Sequence, residues 1–278
     1  MNQVLLGKVA VVTGGSGVLG SAFAKALAQA GAKVAIINRT EEKGKAVAEA
    51  IKAAGGVALA VACDVLDKAA VEKAAEVIKE ALGPCDILVN GAGGNHPSAI
   101  SPKEIFKPEA ENPLQGTFFG MQKEGFDSVF QLNFMGTFIP TQVFALQMLG
   151  RSGTNVINIS SMSAYHPLTK VAAYSASKAA VSNFTEWLAV HLAEAGIRVN
   201  AIAPGFFLTE QNRTLLTNPD GSLTERAAKI IAHTPMKRFG DPQDLLGTLL
   251  WLADEKASGF VTGIVVPVDG GFNAYAGV

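Results

Sequence analysis

A tyrosine and a lysine one helical turn apart are the residues of this sequence with the most evident chemistry. In the segment "AAYSASKAA", Tyr174 and Lys178 occupy positions i and i+4, which lie on one face of a helix. An ammonium group favours the phenolate form of a neighbouring phenol, so we expect Lys178 to lower the pKa of Tyr174 from its ordinary value of about 10. Ser161, thirteen residues before the tyrosine in "INISSMSA", ends a predicted buried strand and can hydrogen-bond a carbonyl oxygen on which charge develops. Together these side chains suit proton transfer at the oxygen of a ketone or alcohol.

Strands rich in valine and isoleucine alternate with helical patterns, and these elements must position the polar groups. The strands are predicted over residues 8–13, 33–38, 57–65, 86–90, 155–160, 198–203 and 264–268. The helices are predicted over residues 18–30, 41–54, 68–82 and 171–195 and near 242–253. Continuous apolar strands are typical of a parallel sheet covered by helices on both faces. We therefore expect an α/β fold, a Rossmann-type doubly wound sheet of seven parallel strands, with ligands bound at the carboxyl ends of the strands.

The whole chain, residues 1–278, is expected to form a single dinucleotide-binding and catalytic domain. Two longer stretches, near 95–125 and 206–241, leave strand ends on the ligand side, and we expect residues 206–233 to close over the substrate as a lid. The net charge of −1 argues against nucleic-acid and anionic-membrane partners and favours a small molecule. Because we find neither an apolar run of about 20 residues nor a signal peptide, we expect a cytoplasmic protein.

Two cysteines and four histidines offer little for a metal site. Cys63 and Cys85 lack CxxC spacing, and both are interpreted as small buried hydrophobic residues in a reducing compartment. His166 and His191 do not fall into a ligand pattern, and no HExxH segment or carboxylate cluster accompanies them. We therefore expect no catalytic metal.

A glycine-rich segment, "TGGSGVLG" at residues 13–20, follows the first predicted strand. Gly15, Gly17 and Gly20 form the pattern G-x-G-x-x-G at the start of a helix, where free N–H groups and the helix dipole can hold a diphosphate. Packing alone can also make a strand-to-helix turn rich in glycine. The position after the strand and before the helix favours dinucleotide binding.

The end of the second predicted strand bears on the choice of cofactor. The acidic residue that would bind the ribose 2′-hydroxyl of NAD is missing, and Asn38 and Arg39 stand there instead. A guanidinium favours a 2′-phosphate by charge and by bidentate geometry. The sequence therefore leans towards NADP(H), with NAD(H) as the alternative if Arg39 is simply an exposed arginine at a strand end.

Eight short segments occur in the order used by the short-chain dehydrogenase/reductase family, which the sequence resembles over essentially its whole length. They are "TGGSGVLG", "CDV", "NGAGG", "LNFMGT", "ISS", "YSASK", "APGFFLT" and "VDGG". The resemblance implies a catalytic tetrad of Asn133, Ser161, Tyr174 and Lys178. In it, Lys178 also holds the nicotinamide ribose, and Asn133 keeps a water chain that returns protons to the lysine.

The glycine loop departs from the common family pattern T-G-x-x-x-G-x-G. Gly14 and Gly20 carry over, whereas Val18 replaces the middle glycine and Gly17 comes one residue early. We expect the turn to shift locally without losing the diphosphate.

Further cofactor contacts are implied by the same resemblance. The complete set is Gly14, Ser16, Gly17, Leu19, Gly20, Asn38, Arg39, Asp64, Val65, Asn90, Ala92, Gly93, Tyr174, Lys178, Pro204, Gly205, Phe207 and Thr209. Asp64 could instead cap the helix that begins near residue 68. The resemblance also implies a homotetramer built on the helices that carry Asn133 and Tyr174, although the apolar segment "VSNFTEWLAVHLA" could equally be intramolecular core.

The substrate is suggested by "GAGGNHP", "APGFFLTEQNR" and "GFNAYAGV", which resemble the branch of the family that interconverts D-fructuronate and D-mannonate. A sugar acid requires polar groups for its hydroxyls and a cation for its carboxylate. The candidates are Asn95, His96, Ser161, Gln211, Asn212 and Arg213. His96 could instead cap the backbone near Pro97, and Arg213 could be a solvated lid residue. Alternative functions are another sugar-acid or polyol dehydrogenase such as gluconate 5-dehydrogenase, a 3-oxoacyl carrier-protein reductase, or a nonenzymatic dinucleotide sensor.

Overall fold

Seven parallel strands form one sheet in the order β3-β2-β1-β4-β5-β6-β7, in a computed structural model that describes residues 3–109, 111–208 and 216–277. The strands are β1 (Val9–Thr13), β2 (Lys33–Asn38), β3 (Val57–Ala62), β4 (Ile87–Asn90), β5 (Thr154–Ile159), β6 (Ile197–Pro204) and β7 (Val265–Val268). Every pairing in the sheet is parallel. The predicted single-domain, doubly wound α/β fold is confirmed.

Helices connect the strands and cover both faces of the sheet. They are α1 (Val18–Gln29), α2 (Glu41–Ala53), α3 (Lys68–Leu82), α4 (Lys123–Phe130), α5 (Gly136–Leu146), α6 (Ala172–His191), α7 (Glu225–His233), α8 (Leu246–Ala253) and the single turn α9 (Glu255–Ser258). Within the described ranges, no helix has both the length and the apolar character needed to cross a bilayer. The helix predicted near 242–253 starts as a 3-10 turn, Pro242–Leu245, because Asp241 caps it and a proline follows.

The apolar core consists of two layers, one on each face of the sheet. On one face, Phe23 and Leu27 of α1 pack with Leu249 of α8 against alternate residues of the strands. On the other face, Ile78 of α3 and Phe144 of α5 pack against the remaining strand residues. Burial on both faces explains why each strand reads as an unbroken apolar run.

The order of the strands determines where along the edge of the sheet a ligand can bind. The chain adds strands in one direction from β1 to β3 and in the other from β4 to β7, so the carboxyl ends of β1 and β4 lie side by side. Loops leave in opposite directions at such a point and open a crevice between them. The segments after β1, β4, β5 and β6 therefore meet at one edge.

The two predicted long stretches differ in content. Residues 91–122 contain two short 3-10 turns, Pro97–Ala99 and Phe118–Gly120. In the later stretch, "TNPDGS" forms a turn closed by an antiparallel bridge between Thr217 and Leu223, after which α7 begins. Residues 209–215 lie outside the described residues, so the lid remains a prediction.

Candidate active site

A cavity of about 610 Å³ opens at the carboxyl edge of the sheet, between the turn after β1 and the start of α6. Its floor is the glycine segment, where bare backbone is required. A Cβ on Gly14 would come within 2.8 Å of the Ala92 backbone, and Gly14 also has a φ of +63°. A Cβ on Gly20 would overlap the Gly14 carbonyl oxygen. Both positions therefore require glycine for the close packing of the turn.

The start of α1 faces this floor. The first intrahelical hydrogen bond runs from Ser21 N to Gly17 O over 2.8 Å, so the N–H groups of Val18 and Leu19 precede the hydrogen-bonded ladder. No side chain caps this terminus. Free N–H groups and the positive end of the helix dipole suit a diphosphate. The cradle thus fits the dinucleotide that the sequence predicts.

Gly17 has a less strict role than its two neighbours. It is the N-cap of α1 with an ordinary φ of −71°, and a Cβ there would meet only the Gly14 carbonyl oxygen, at 3.3 Å. The comparison with the family pattern also predicted that Gly17 is the less strictly required glycine of the loop. The structure supports the family pattern at Gly14 and Gly20 and leaves Gly17 the more replaceable residue.

The far end of the cavity carries two cations. Arg39 follows β2, and Lys43, one turn into α2, lines the same end. Both side chains are exposed. Asn38 is buried beside them, donates from Nδ2 to the Thr40 carbonyl oxygen, and has no described partner for its Oδ1 atom. Lys43 was not among the predicted cofactor residues, because Arg39 lies outside α2 and their spacing in the sequence gave no signal that they meet.

Most of the predicted cofactor residues line the cavity. They are Gly14, Ser16, Gly17, Leu19, Gly20, Asn38, Arg39, Asp64, Val65, Ala92, Gly93, Tyr174, Lys178, Pro204, Gly205 and Phe207. Lining residues that the sequence analysis missed are Val18, Ile37, Thr40, Lys43, Cys63, Gly91, Gly94, Leu132, Ile159, Ser160 and Phe206. Most of these are chain neighbours of predicted residues, at the same strand ends.

Two predicted cofactor residues are not among the lining residues. Asn90 is buried in the core, where its Nδ2 donates to Thr141 Oγ1 over 2.8 Å and to Asn158 Oδ1 over 2.9 Å. It therefore holds β4 against its neighbours. Thr209 lies outside the described residues. The alternative role of Asp64 as a helix cap is wrong, because Asp67 caps α3 by accepting from Ala70 N over 3.1 Å.

Tyr174 and Ser161 meet at the cavity wall. Ser161 follows β5 and accepts a hydrogen bond from Ser163 N over 3.2 Å, which fixes its side chain at the start of a short 3-10 turn. As a hydrogen-bonding neighbour, its side chain also offsets part of the rise in pKa that burial causes in the Tyr174 phenol. A carbonyl oxygen placed against both hydroxyls would have two donors where negative charge develops.

The pKa of Tyr174 differs from our expectation. Burial raises the pKa of the phenol above its usual value, and the hydrogen bond with Ser161 offsets only part of that effect. The predicted lowering by Lys178 is wrong for this structure. The lysine Nζ lies 5.8 Å from the centre of the tyrosine ring and donates instead to the Ile159 carbonyl oxygen over 2.7 Å.

Lys178 is almost completely buried, with 4% of its surface exposed. Burial lowers the pKa of its ammonium to about 8, because no carboxylate among the described residues compensates for the loss of water. At neutral pH the lysine therefore still carries its positive charge, but its pKa is close enough that a small rise in pH removes it.

Asn133 lies behind the lysine in a π-helical turn, Gln131–Met135, between α4 and α5. Its Oδ1 accepts from Gly94 N over 2.8 Å, and its Nδ2 donates to Gly94 O over 3.0 Å and to Ser177 Oγ over 2.9 Å. The side chain does not line the cavity. Single π-turns occur mostly at functional sites, and this one brings Asn133 to the turn after β4.

The predicted substrate residues are only partly in place. Ser161 lines the cavity, but Asn95 and His96 do not. His96 caps the 3-10 turn Pro97–Ala99, with its Nδ1 2.7 Å from Ser98 Oγ, as its alternative role predicted. Gln211, Asn212 and Arg213 lie outside the described residues.

Comparison with known proteins gives consistent matches over the whole chain. The family described as short chain dehydrogenase matches residues 8–220. An uncharacterized oxidoreductase of Bacillus subtilis (strain 168), UxuB, is 60% identical over 278 residues, which are 100% of this chain and 99% of the relative.

Two solved structures resemble the fold closely. One, from Haemophilus influenza, carries bound NAD and the provisional name D-mannonate oxidoreductase. It is 49% identical, covers 99% of this chain and 98% of its own, and has a TM-score of 0.95. The other, from Beutenbergia cavernae, has the provisional name NAD(P) dependent gluconate 5-dehydrogenase and bound NADP at low occupancy. It is 33% identical, covers 99% and 100%, and has a TM-score of 0.81.

Proposed function

The chain belongs to the short-chain dehydrogenase family, and from that premise we propose its substrate, its cofactor preference and its assembly. It is an NAD(P)-dependent oxidoreductase that acts on CH–OH groups. The reaction we propose is the interconversion of D-fructuronate and D-mannonate. The presence of Ser161 and Tyr174 together on the cavity wall carries the proposal. The NAD-bound relative from Haemophilus influenza supports the choice of sugar acid.

The roles of the chain's own groups follow from their positions. The nicotinamide cofactor, when bound, supplies the hydride for ketone reduction or accepts it in the reverse direction. Tyr174 donates the proton that the substrate oxygen takes up, and Ser161 hydrogen-bonds the same oxygen as its charge grows. The start of α1 would hold the diphosphate of the cofactor, and Lys178 would contribute positive charge at the part of the cavity that Tyr174 also lines.

The protonation state of the tyrosine favours one direction at neutral pH. Because burial raises the pKa of the phenol, Tyr174 carries its proton at neutral pH and acts as the acid in ketone reduction. Alcohol oxidation requires the phenolate, which is scarce under the same conditions. At neutral pH Tyr174 is therefore in the protonated form that reduction of D-fructuronate to D-mannonate requires.

The substrate carboxylate needs a cation, and we assign this role to Arg213. A bidentate contact with a guanidinium distinguishes a sugar acid from a neutral sugar. Gln211 is assigned to the hydroxyl groups, and closure of residues 206–233 would bring it to the substrate together with Arg213 and exclude water. Phe206, at the mouth of the cavity, forms an apolar wall and packs edge to face on Phe272 at 5.3 Å.

NADP(H) is the proposed preferred cofactor. Arg39 and Lys43 line one end of the cavity, beside the start of α2, and their two positive charges suit a 2′-phosphate. β2 ends in Asn38 and is followed by Arg39, so the strand end lacks the carboxylate that would bind a free 2′-hydroxyl. The NAD in the relative from Haemophilus influenza makes NAD(H) the alternative.

A homotetramer is the proposed assembly. α6 exposes Trp187 and Val190, which are 57% and 80% accessible, and Phe184 stacks with Trp187 at 6.2 Å. Phe134 and Phe138 extend this aromatic surface onto α5 and the π-turn. An apolar surface of this kind marks a protein interface. Sedimentation equilibrium measures the assembly directly, and a monomer would contradict it.

A second candidate is oxidation of another sugar acid, as in the gluconate 5-dehydrogenase named for the 33% identical structure. A spectrophotometric screen distinguishes the two. NADH and NADPH oxidation are followed with D-fructuronate, 5-ketogluconate and the neutral ketose D-fructose. We expect the highest kcat/KM with D-fructuronate. A preference for 5-ketogluconate supports the second candidate, and turnover of none of them contradicts both.

A further inference from the structure

Ser177 connects two parts of the active site and has no role in the reaction described above. Its hydroxyl is fully buried on α6, between Tyr174 and Lys178. It donates to the Tyr174 carbonyl oxygen over 2.8 Å and accepts from Asn133 Nδ2 over 2.9 Å. Ser177 therefore fastens the π-turn to the helix that carries both reacting groups.

The Asn133 amide is fully used by this network. Its oxygen accepts from Gly94 N, and its two Nδ2 hydrogens go to Gly94 O and to Ser177 Oγ. No donor of this side chain is left over for a substrate. Asn133 thus fixes the turn after β4, because its side chain hydrogen-bonds both the N–H and the C=O group of Gly94.

That turn lies directly against the lysine. A Cβ on Gly93 would stand 3.0 Å from Asn133 Oδ1 and 3.3 Å from Lys178 Nζ. The ammonium is thereby enclosed between the Gly93–Gly94 turn and the end of β5, where it donates to the Ile159 carbonyl oxygen. Tyr174 is the titratable side chain packed against it among the described residues.

We infer that Ser177 is a positioning residue: by fixing Asn133 it holds the Gly93–Gly94 turn against Lys178 and keeps water away from the ammonium. The inference rests on the proposed function, since it assigns Ser177 to the same site. An ordinary buried serine would only donate a hydrogen bond to a carbonyl oxygen of its own helix. The Ser177 hydroxyl does this and also accepts a hydrogen bond from Asn133.

Loss of the hydroxyl has a definite consequence. In Ser177→Ala one buried Asn133 N–H loses its acceptor, which is unfavourable enough to draw in water or to turn the amide. Either change loosens the turn at Gly94 and lets water reach Lys178. Because burial alone depresses the pKa of this lysine, hydration returns it towards its ordinary value.

Thr185 provides a matched control on the same helix. Its Oγ1 accepts from Asn158 Nδ2 over 2.9 Å and donates to the Val181 carbonyl oxygen over 2.8 Å, and it is equally buried. Thr185→Val removes the same kind of hydrogen bond away from the lysine. Ser177→Thr keeps the hydroxyl and serves as the rescue variant.

The test measures the reactivity of Lys178 in cofactor-free protein. Acylation by trace acetic anhydride is quantified by mass spectrometry between pH 6 and 11, and thermal unfolding monitors folding of each variant. We expect an apparent lysine pKa of about 8 in wild type, Ser177→Thr and Thr185→Val, and an increase of about one unit in Ser177→Ala. In steady-state assays, kcat of Ser177→Ala should fall about 10-fold or more with a smaller change in KM.

An unchanged labelling profile in folded Ser177→Ala, or equal shifts in Ser177→Ala and Thr185→Val, would overturn the inference. The proposed function fails separately, if wild type does not turn over a keto-hexonate. The labelling profile, which needs neither substrate nor cofactor, still decides the role of Ser177 in that case.

Discussion

Tyr174 and Ser161 line the same cavity, and the serine side chain offsets part of the rise in pKa that burial causes in the Tyr174 phenol, although one residue lies on α6 and the other follows β5. Thirteen residues of chain separate them, and the 3-10 turn after Ser161 brings them back to the same wall of the cavity. One carbonyl oxygen of a substrate could therefore accept hydrogen bonds from both hydroxyl groups.

Replacement of Tyr174 by phenylalanine removes the proton donor and keeps the ring. We expect kcat for ketone reduction to fall by about 10²–10⁴, with cofactor affinity changed less than about 3-fold, because the ring still packs at the wall. Stopped-flow turnover and cofactor fluorescence titration measure the two quantities. Tyr165→Phe is the matched control, since the Tyr165 hydroxyl donates to the Val265 carbonyl oxygen. Full reductase activity of Tyr174→Phe would show that Tyr174 is not the proton donor.

The two directions of the reaction should respond differently to pH. Burial raises the pKa of Tyr174, so the neutral phenol needed for reduction is present throughout pH 6–8. The phenolate needed for oxidation increases about 10-fold per pH unit in this range, because the pKa lies above it. We expect kcat/KM for oxidation to rise with pH between 7 and 9. A plateau below pH 8 would mean that the working enzyme lowers the pKa of Tyr174.

Replacement of Lys178 by methionine should stabilise the protein while it abolishes activity. Folding brings a charged lysine into the interior, and burial lowers its pKa to about 8, below the unfolded value. Below pH 8 the charge is present in both states and its burial is unfavourable. As pH rises from 8 towards 10.5, the unfolded chain holds more protons and wild type gains stability.

Urea denaturation at several pH values tests this difference. We expect Lys178→Met to exceed wild type by on the order of 2 kcal/mol at pH 7, with the gap closing by about pH 10. A variant that is less stable than wild type at pH 7 would show that the packing of the lysine stem outweighs the burial of its charge.

Gly20 and Gly17 should differ in their tolerance of alanine. A Cβ on Gly20 would overlap the Gly14 carbonyl oxygen, so Gly20→Ala must displace the turn that holds the diphosphate. We expect the Kd for the cofactor to rise at least about 10-fold in Gly20→Ala and less than about 3-fold in Gly17→Ala. Isothermal titration calorimetry gives both constants. Equal increases in Kd would show that Gly17 is as necessary for cofactor binding as Gly20.

Arg39 and Lys43 should decide the cofactor preference together. Alanine at either position is expected to raise the KM for NADPH about 10-fold and to leave the KM for NADH within about 2-fold, because only NADPH carries the 2′-phosphate. Lys45→Ala is the control on the same helix, since Lys45 pairs with Glu41. If the ratio of the KM for NADPH to the KM for NADH were unchanged in Arg39→Ala, this role of Arg39 would be contradicted.

The strands could be predicted from the sequence because their signals are local. Runs rich in apolar residues mark strands buried on both faces, and each predicted strand overlaps an observed one. Tyr174 and Lys178 were predicted from their helical spacing together with Ser161 and the order of the family segments, and the structure places all three at one cavity. The glycine requirement at Gly20 is also local, since it comes from a turn of a few residues.

The features that could not be predicted depend on tertiary contacts. The pKa of Tyr174 rises because the fold buries the phenol, and Lys178 turns to the Ile159 carbonyl, which lies on another element. The π-turn around Asn133 has no recognisable composition. Asn90 was assigned to the cofactor from its place in a family segment, yet its amide is used between β4, β5 and α5.

The position of β1 beside β4 divides the molecule into an earlier and a later half of the chain. The predicted diphosphate cradle and Arg39 lie in the earlier half, and Ser161 and Tyr174 lie in the later half. We therefore expect that a change of substrate requires substitutions mainly in the later half, whereas a change between NADP(H) and NAD(H) requires substitutions after β2.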